Sequence, residues 1–230
     1  MTEKSLGDKA AAAKLPIEEI AKYPLPGMAL PGNITFSPDD RLLVVGGTGG
    51  VWVWETETGK LLSRFDYKNA GVYVVEQLIL NSNGRLLAVN DPYSGIVVID
   101  LNTGKLLREI DTNVDDLAFS PDSRWLAVSM TISEGSRNII IWDLFSGERV
   151  KIISVISPSV PMTIAFSPDG KLLASSDEYG TTLWDTSNWE PVTKLSGRNS
   201  QVTHLVFSPD GRWLAASDAD GIVQIWGVDD

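Results

Sequence analysis

Apolar residues fall along this chain in short runs, and the runs are separated by polar turns that themselves recur. The clearest case is VTHLVFSPDGRWLAASDADGIVQIW, residues 202–226. It predicts three strands, residues 202–207, 212–217 and 222–226. Ser208-Pro209-Asp210-Gly211 makes the first turn: proline pre-sets φ, aspartate bonds its own backbone and glycine suits the fourth place. Asp218-Ala219-Asp220-Gly221 makes the second. The strands are apolar on both faces, and a three-stranded sheet has nothing of its own to bury them. Such a unit must be one copy of several.

The rest of the chain bears the same pattern. Phe36, Leu80, Phe119, Phe166 and Phe207 stand 44, 39, 47 and 41 residues apart. A second anchor, Trp54, Ile99, Trp142, Trp184 and Trp226, keeps spacings of 45, 43, 42 and 42. This is the period of four-stranded propeller blades. Each repeat runs as strand a, an SPD-type turn, strand b, a hairpin and strand c. A fourth strand, d, follows in the first four repeats at residues 60–65, 105–110, 149–154 and 191–195. Near-continuous apolar strands are those of sheets covered on both sides.

The fold expected is therefore all-β: a five-bladed propeller of four-stranded antiparallel blades. Residues 1–16 are expected as a mobile leader, residues 17–32 as a closing segment and linker, and the blades at about 33–66, 72–110, 114–155, 161–196 and 201–230. The fifth repeat lacks strand d. Counting back from Phe36 as from Phe207 sets residues 20–24 in that register, so the N-terminal segment is expected to complete the last blade. A short helix over 17–23 is the competing local reading, and closure between chains is the competing assembly.

These residues resemble the WD40 repeat family. FSPDG at 166–170 and 207–211, its variants at 36–40 and 119–123, and the pairs Trp142-Asp143 and Trp184-Asp185 carry the resemblance over roughly residues 33–228. The sequence departs from the family at the Gly-His dipeptide, where the fifth repeat has Gly197-Arg198. It departs also at the turn aspartate, kept only as Asp220 and replaced by Thr48, Tyr93, Ser136 and Glu178. The family's His-Ser-Asp-Trp network is thus not expected. The opening IEEIAKYPLPG…FSPDDR also resembles the propeller entry of dipeptidyl-peptidase-type serine peptidases.

Composition narrows the chemistry. The 230 residues carry no cysteine, one histidine and a net charge of −11. Disulfides and thiolate metal sites are excluded, and nucleic acid and anionic membrane are disfavoured as partners. No apolar run approaches the length of a membrane span, no signal peptide is expected, and a cytoplasmic location is. His204 alone cannot complete a zinc site or a Ser-His-Asp triad. Gly46-Gly47-Thr48-Gly49-Gly50 reads as a hairpin, because no helix N-terminus follows it to hold a phosphate. Asp218-x-Asp220-Gly221 has only part of a calcium loop. Trp125 and Trp213 occupy equivalent strand b positions and are expected in the core; Trp52 and Trp189 have no aromatic counterparts. No cofactor and no catalytic activity are expected.

The most informative pattern is charge by face. Loops d–a and b–c share one rim of a propeller. On it lie Asp66, Asp91, Asp111, Asp115, Asp116, Glu134, Asp177, Glu178, Asp218 and Asp220, against Lys68, Arg137 and Arg198. The opposite rim repeats a base after each turn, Arg41, Arg85, Arg124, Lys171 and Arg212, where local pairing is expected. The third-blade b–c loop, 131–137, is expected to overhang the acidic rim, with Tyr93 and Tyr179 as aromatic anchors. The candidate binding set is Asp91, Tyr93, Asp111, Asp115, Asp116, Glu134, Arg137, Glu178, Tyr179 and Arg198. The function expected is a monomeric, non-catalytic scaffold gripping a protein or a basic peptide. A propeller accessory to a hydrolase on another chain, or a structural subunit with blades completed between chains, is the alternative.

Overall fold

A computed structural model describes residues 22, 25, 31–65, 75–92, 95–111, 114–133, 136–155, 162–177, 180–196 and 201–228. Among them every regular element is a strand, arranged in five antiparallel sheets in chain order. The first sheet is β1 (Pro31–Phe36), β2 (Leu42–Gly47), β3 (Gly50–Glu55) and β4 (Leu61–Phe65). The second is β5 (Gln77–Leu80), β6 (Leu86–Asp91), β7 (Gly95–Asp100) and β8 (Lys105–Ile110). The third is β9 (Asp116–Phe119), β10 (Trp125–Ser133), β11 (Ser136–Asp143) and β12 (Arg149–Val155). The fourth is β13 (Ile164–Phe166), β14 (Leu172–Asp177), β15 (Gly180–Asp185) and β16 (Glu190–Ser196). The fifth has three strands, β17 (Val202–Phe207), β18 (Trp213–Asp218) and β19 (Val223–Gly227). Residues 17–21, 23 and 24, on which the expected closing strand falls, lie outside the described residues.

One local device sets every a–b turn. The Ser37, Ser120, Ser167 and Ser208 hydroxyls each donate to the aspartate two residues on, at 2.6 Å. Each also accepts the first N–H of strand b at 2.8–3.0 Å. Asn81 and Asn83 divide these roles in the second sheet. The fourth turn residue is left-handed throughout, with φ between 59° and 76° at Asp40, Gly84, Ser123, Gly170 and Gly211. Asp40 and Ser123 hold that conformation without being glycine, which polar residues tolerate better than branched ones.

These turns make stability acid-sensitive. The hydroxyl bonds hold Asp39 and Asp169 below the ordinary carboxylate value of 3.8, and Ser208, then Arg212, lower Asp210 to about 2. A folded pKa below the unfolded one stabilises fully above the unfolded value and is lost as pH falls through the folded one. The melting temperature should therefore hold steady above about pH 5 and fall between about pH 4 and 2. Replacing Ser37, Ser167 and Ser208 with alanine should shrink that fall, as followed by circular dichroism. An unchanged acid profile would count against the turns as its source.

Four of the five bases after the turns form ion pairs, and two of these reach across the sheet. Arg85 meets Asp100 at 2.7 Å and Arg124 meets Asp143 at 3.2 Å, each carboxylate standing at the end of strand c. Lys171 and Arg212 pair with their own turn aspartates.

Cores lie between consecutive sheets. Ile96 and Val98 of the second sheet meet Leu117, Leu126 and Val128 of the third. Ile139 and Ile141 meet Ile164 and Leu173 of the fourth. Gly46 is the tightest joint: a Cβ there would lie 2.6 Å from Cγ1 of the buried Val75. Trp52 and Trp189 are core residues. Trp189 has a φ of 61° and stands edge-on to both Trp125 of the third sheet and Phe166 of its own. Trp125 is part of that core, whereas Trp213 is half exposed. Nothing described covers its side of the fifth sheet, so the expectation of two equivalent core tryptophans is corrected. The expected overhanging loop at 131–137 is a hairpin instead. β10 and β11 stay paired through Thr131↔Arg137 to Ser133↔Ser136, which carries the sheet itself outward.

Candidate binding groove

Three residues before each Phe-type anchor the chain places a polar residue: Asn33, Gln77, Asp116, Thr163 and His204. Each therefore sits near the start of an innermost strand, on the rim formed by the d–a connections. The sheets meet along these inner strands, and Asn33, Gln77, Asp116 and Thr163 bond across the joints. The Asn33 side-chain amide donates to the Glu76 carbonyl at 2.8 Å. Gln77 Nε2 donates to Asp116 Oδ1 at 2.5 Å. Thr163 Oγ1 and the Ile164 N–H donate to Asp116 Oδ2 at 2.8 and 2.9 Å. The Leu117 N–H completes four donors on one carboxylate. Asp116 thus ties the second, third and fourth sheets together. Beneath it the Ser129 hydroxyl donates to the Met162 carbonyl at 2.6 Å.

Around this network opens a groove of about 500 Å³, walled by Gln77, Asp115, Asp116, Met162, Thr163 and residues 201–205. His204 and Thr203 are exposed along it. Asp115, next in line to Asp116, forms an ion pair with Arg137 of the extended hairpin at 2.6 Å and accepts from Thr131 at 3.0 Å. Both partners of the pair are largely buried. The groove wall therefore carries negative charge that is held in place, part of it compensated by one guanidinium.

Of the candidate residues, Asp115, Asp116 and Arg137 come together here. Asp111 is exposed just past β8 and does not line the groove. Asp91, expected on the rim surface, is 1% exposed at the end of β6. It belongs to the sheet rather than to a loop: Asp91 is the last residue of β6 and pairs with Gly95 of β7. Tyr93, Glu134, Glu178, Tyr179 and Arg198 lie outside the described residues. Gln77, Met162, Thr163, Gln201 and Thr203 belong to the groove and were not among the candidates. The polar position three before each anchor is the signal that finds two of them.

The WD40 family's buried Trp-to-Ser link survives once among the described residues, where Trp184 Nε1 donates to Ser175 Oγ at 2.9 Å. Also among the described residues, no group of His, Asp and Glu side chains is arranged to hold a metal ion, and no helix is long and apolar enough to cross a membrane.

Successive four-stranded antiparallel sheets meeting along their inner strands are the architecture of a β-propeller. The family model for the WD domain, G-beta repeat, matches residues 104–143, 151–185 and 189–227. The chain is a WD40-repeat protein. It is 36% identical over 124 residues to WD repeat-containing protein 36 of Homo sapiens, which covers 51% of this chain and 13% of that one. It is 31% identical over 194 residues to WD repeat-containing protein SL1-17 of Schistosoma mansoni, covering 66% and 60%. It is 28% identical over 144 residues to the seven-bladed beta-propeller protein Rv1057 of Mycobacterium tuberculosis, covering 61% and 36%. The chain thus spans between 13% and 60% of the length of these relatives.

Proposed function

We propose that the chain is a non-catalytic binding module that seats a basic segment of a partner protein in the groove at its acidic rim. The observation that carries this reading is the groove itself. It is a concave site of about 500 Å³ with Asp115 and Asp116 fixed in its wall and His204 and Thr203 exposed along it. A wall held by four donors and an ion pair is already organised, so a bound segment costs little rearrangement. The net charge of −11 adds long-range attraction for cationic segments and repulsion of nucleic acid.

The test is fluorescence anisotropy with three labelled probes: a Lys/Arg-rich peptide, a Glu/Asp-rich peptide of equal length and a duplex oligonucleotide. The basic peptide alone should bind. Its affinity should fall several-fold as salt rises from about 50 to about 300 mM, chiefly through the association rate. His204→Glu should alter the affinity, whereas Arg41→Ala on the other rim should not. Equal binding of the acidic peptide, or an effect confined to Arg41→Ala, would overturn the assignment of this face.

A further inference from the structure

Successive residues of a strand face opposite ways, yet Thr203 and His204 are both exposed and both line the groove. The cause is a bulge. Val202 pairs with Asp218 and His204 with Ser217, so Thr203 is an extra residue in β17. A bulge of this kind re-aims the side chains around it. The Thr203 hydroxyl is tied to β18, 3.0 Å from Ser217 Oγ and 3.1 Å from the Ser217 carbonyl. His204 is not tied. Asn33, Gln77, Asp116 and Thr163 hold its place in the other four sheets, and each bonds across a joint. The His204 imidazole bonds to none of the described residues.

Histidine, and cysteine where it is perturbed, are the side chains that change charge between about pH 5 and 8. This chain has one histidine, His204, and no cysteine. Carboxyl groups ordinarily change charge lower. The charged residues around His204 are nearly all acidic. The rest of the groove wall carries Asp115 and Asp116, with Arg137 paired to the former. β18 brings Asp218, opposite Val202, and the turn after it brings Asp220. β13 and β14, which pack against β17, bring only Asp177, at the end of β14.

We propose that His204 is a proton-controlled contact of the groove: neutral, it admits a basic segment, and protonated, it turns that segment away. This rests on the reading of the groove as a seat for such a segment. A proton on His204 puts a positive charge on a wall whose attraction for cations comes from Asp115 and Asp116. That charge repels an incoming lysine or arginine and offsets the carboxylates. The linkage is reciprocal, so a bound basic segment expels the proton by the factor with which the proton weakens the segment. The groove thus holds its partner at neutral pH and releases it on mild acidification. The fold outlasts that change, since its acid-sensitive turns give way only below about pH 4.

The test is anisotropy on the full chain with a labelled, N-acetylated, histidine-free Arg-rich peptide, from about pH 7.5 to about pH 5.5 at constant ionic strength. The native chain should lose at least about threefold in affinity across that range. His204→Gln should show one affinity throughout, whatever its value at neutral pH. His204→Lys, which keeps a positive charge at every pH used, should bind weakly throughout. Circular dichroism at both ends of the range checks that each variant keeps the fold. A second measurement needs no variant. Titration calorimetry of the native chain at about pH 6.5, in two buffers of different ionisation enthalpy, should report protons released on binding. A native affinity that ignores pH, a His204→Gln variant that keeps the loss, or binding without proton release overturns the proposal. So does a His204→Lys variant that binds as tightly as the native chain at neutral pH. Absence of peptide binding at neutral pH strikes the groove reading and this proposal with it; binding that ignores pH strikes this proposal alone.

Discussion

Replacing Asp116 with alanine should lower the unfolding free energy by about 3 kcal/mol. The carboxylate accepts from Gln77, Thr163 and the Leu117 and Ile164 N–H groups, on three different sheets. Alanine leaves four donors with no acceptor in a partly buried site, and each abandoned donor costs on the order of 1 kcal/mol where water cannot reach it. Asparagine should do little better. Its amide can still accept at one oxygen, but its –NH₂ then faces two other donors. Urea denaturation of the two variants measures the loss. A drop below about 1 kcal/mol for alanine would show that water replaces the carboxylate and that Asp116 is no tie between sheets. Because the same residue walls the groove, alanine should also weaken binding of a basic peptide, and the asparagine variant separates lost charge from lost acceptors only in part.

Arg137→Met should cost a comparable amount, about 3 kcal/mol, because it leaves Asp115 largely buried without its cation. The informative comparison is with Asp115→Asn and with the double variant. Removing both members of a buried pair leaves no stranded charge, so the double variant should be more stable than the sum of the single losses predicts, by at least about 1 kcal/mol. Additive losses would show that each residue acts alone. The pair also bears on recognition. A partner cation approaching Asp115 competes with a guanidinium already 2.6 Å away, so the groove should select segments able to bond several wall atoms at once rather than a single lysine.

The strands and turns were legible because they are set locally. The SPD turn is written in four contiguous residues, and the recurrence of two anchors dates each strand to within a residue or two. In the fifth repeat the expected strand at 202–207 matches β17, and the next two are displaced by a single residue. Charge on the turn rim was legible too, though Arg124 pairs with Asp143 across the sheet rather than with Asp122 in its turn, and Arg85, whose turn holds no carboxylate, pairs with Asp100. What escaped depends on how sheets meet. Trp125 and Trp213 occupy the same place in their repeats, yet a following sheet with Trp189 covers the first and no described residue covers the second. Asp91 reads as a loop acid, but it is the last residue of β6, paired with Gly95, and it is buried. Asp115 and Asp116 are adjacent carboxylates of the same kind in sequence. One becomes a tie between three sheets and the other half of an ion pair, because their side chains leave the strand start in different directions.

The polar inner-strand series has a mechanical meaning as well. Each sheet contacts its neighbours in sequence along the inner strands, so the array is coupled like links in a row and its cooperativity passes from joint to joint. Asp116 clamps three consecutive links at once, whereas among the described sheets the first and fifth each meet one neighbour. Opening motions should therefore begin at the two ends and stop at the clamp. The groove wall on the clamped links, Gln77, Asp116 and Thr163, keeps its shape, while the wall formed by residues 201–205 moves with the fifth sheet, so breathing at that end widens or narrows the groove against a fixed side.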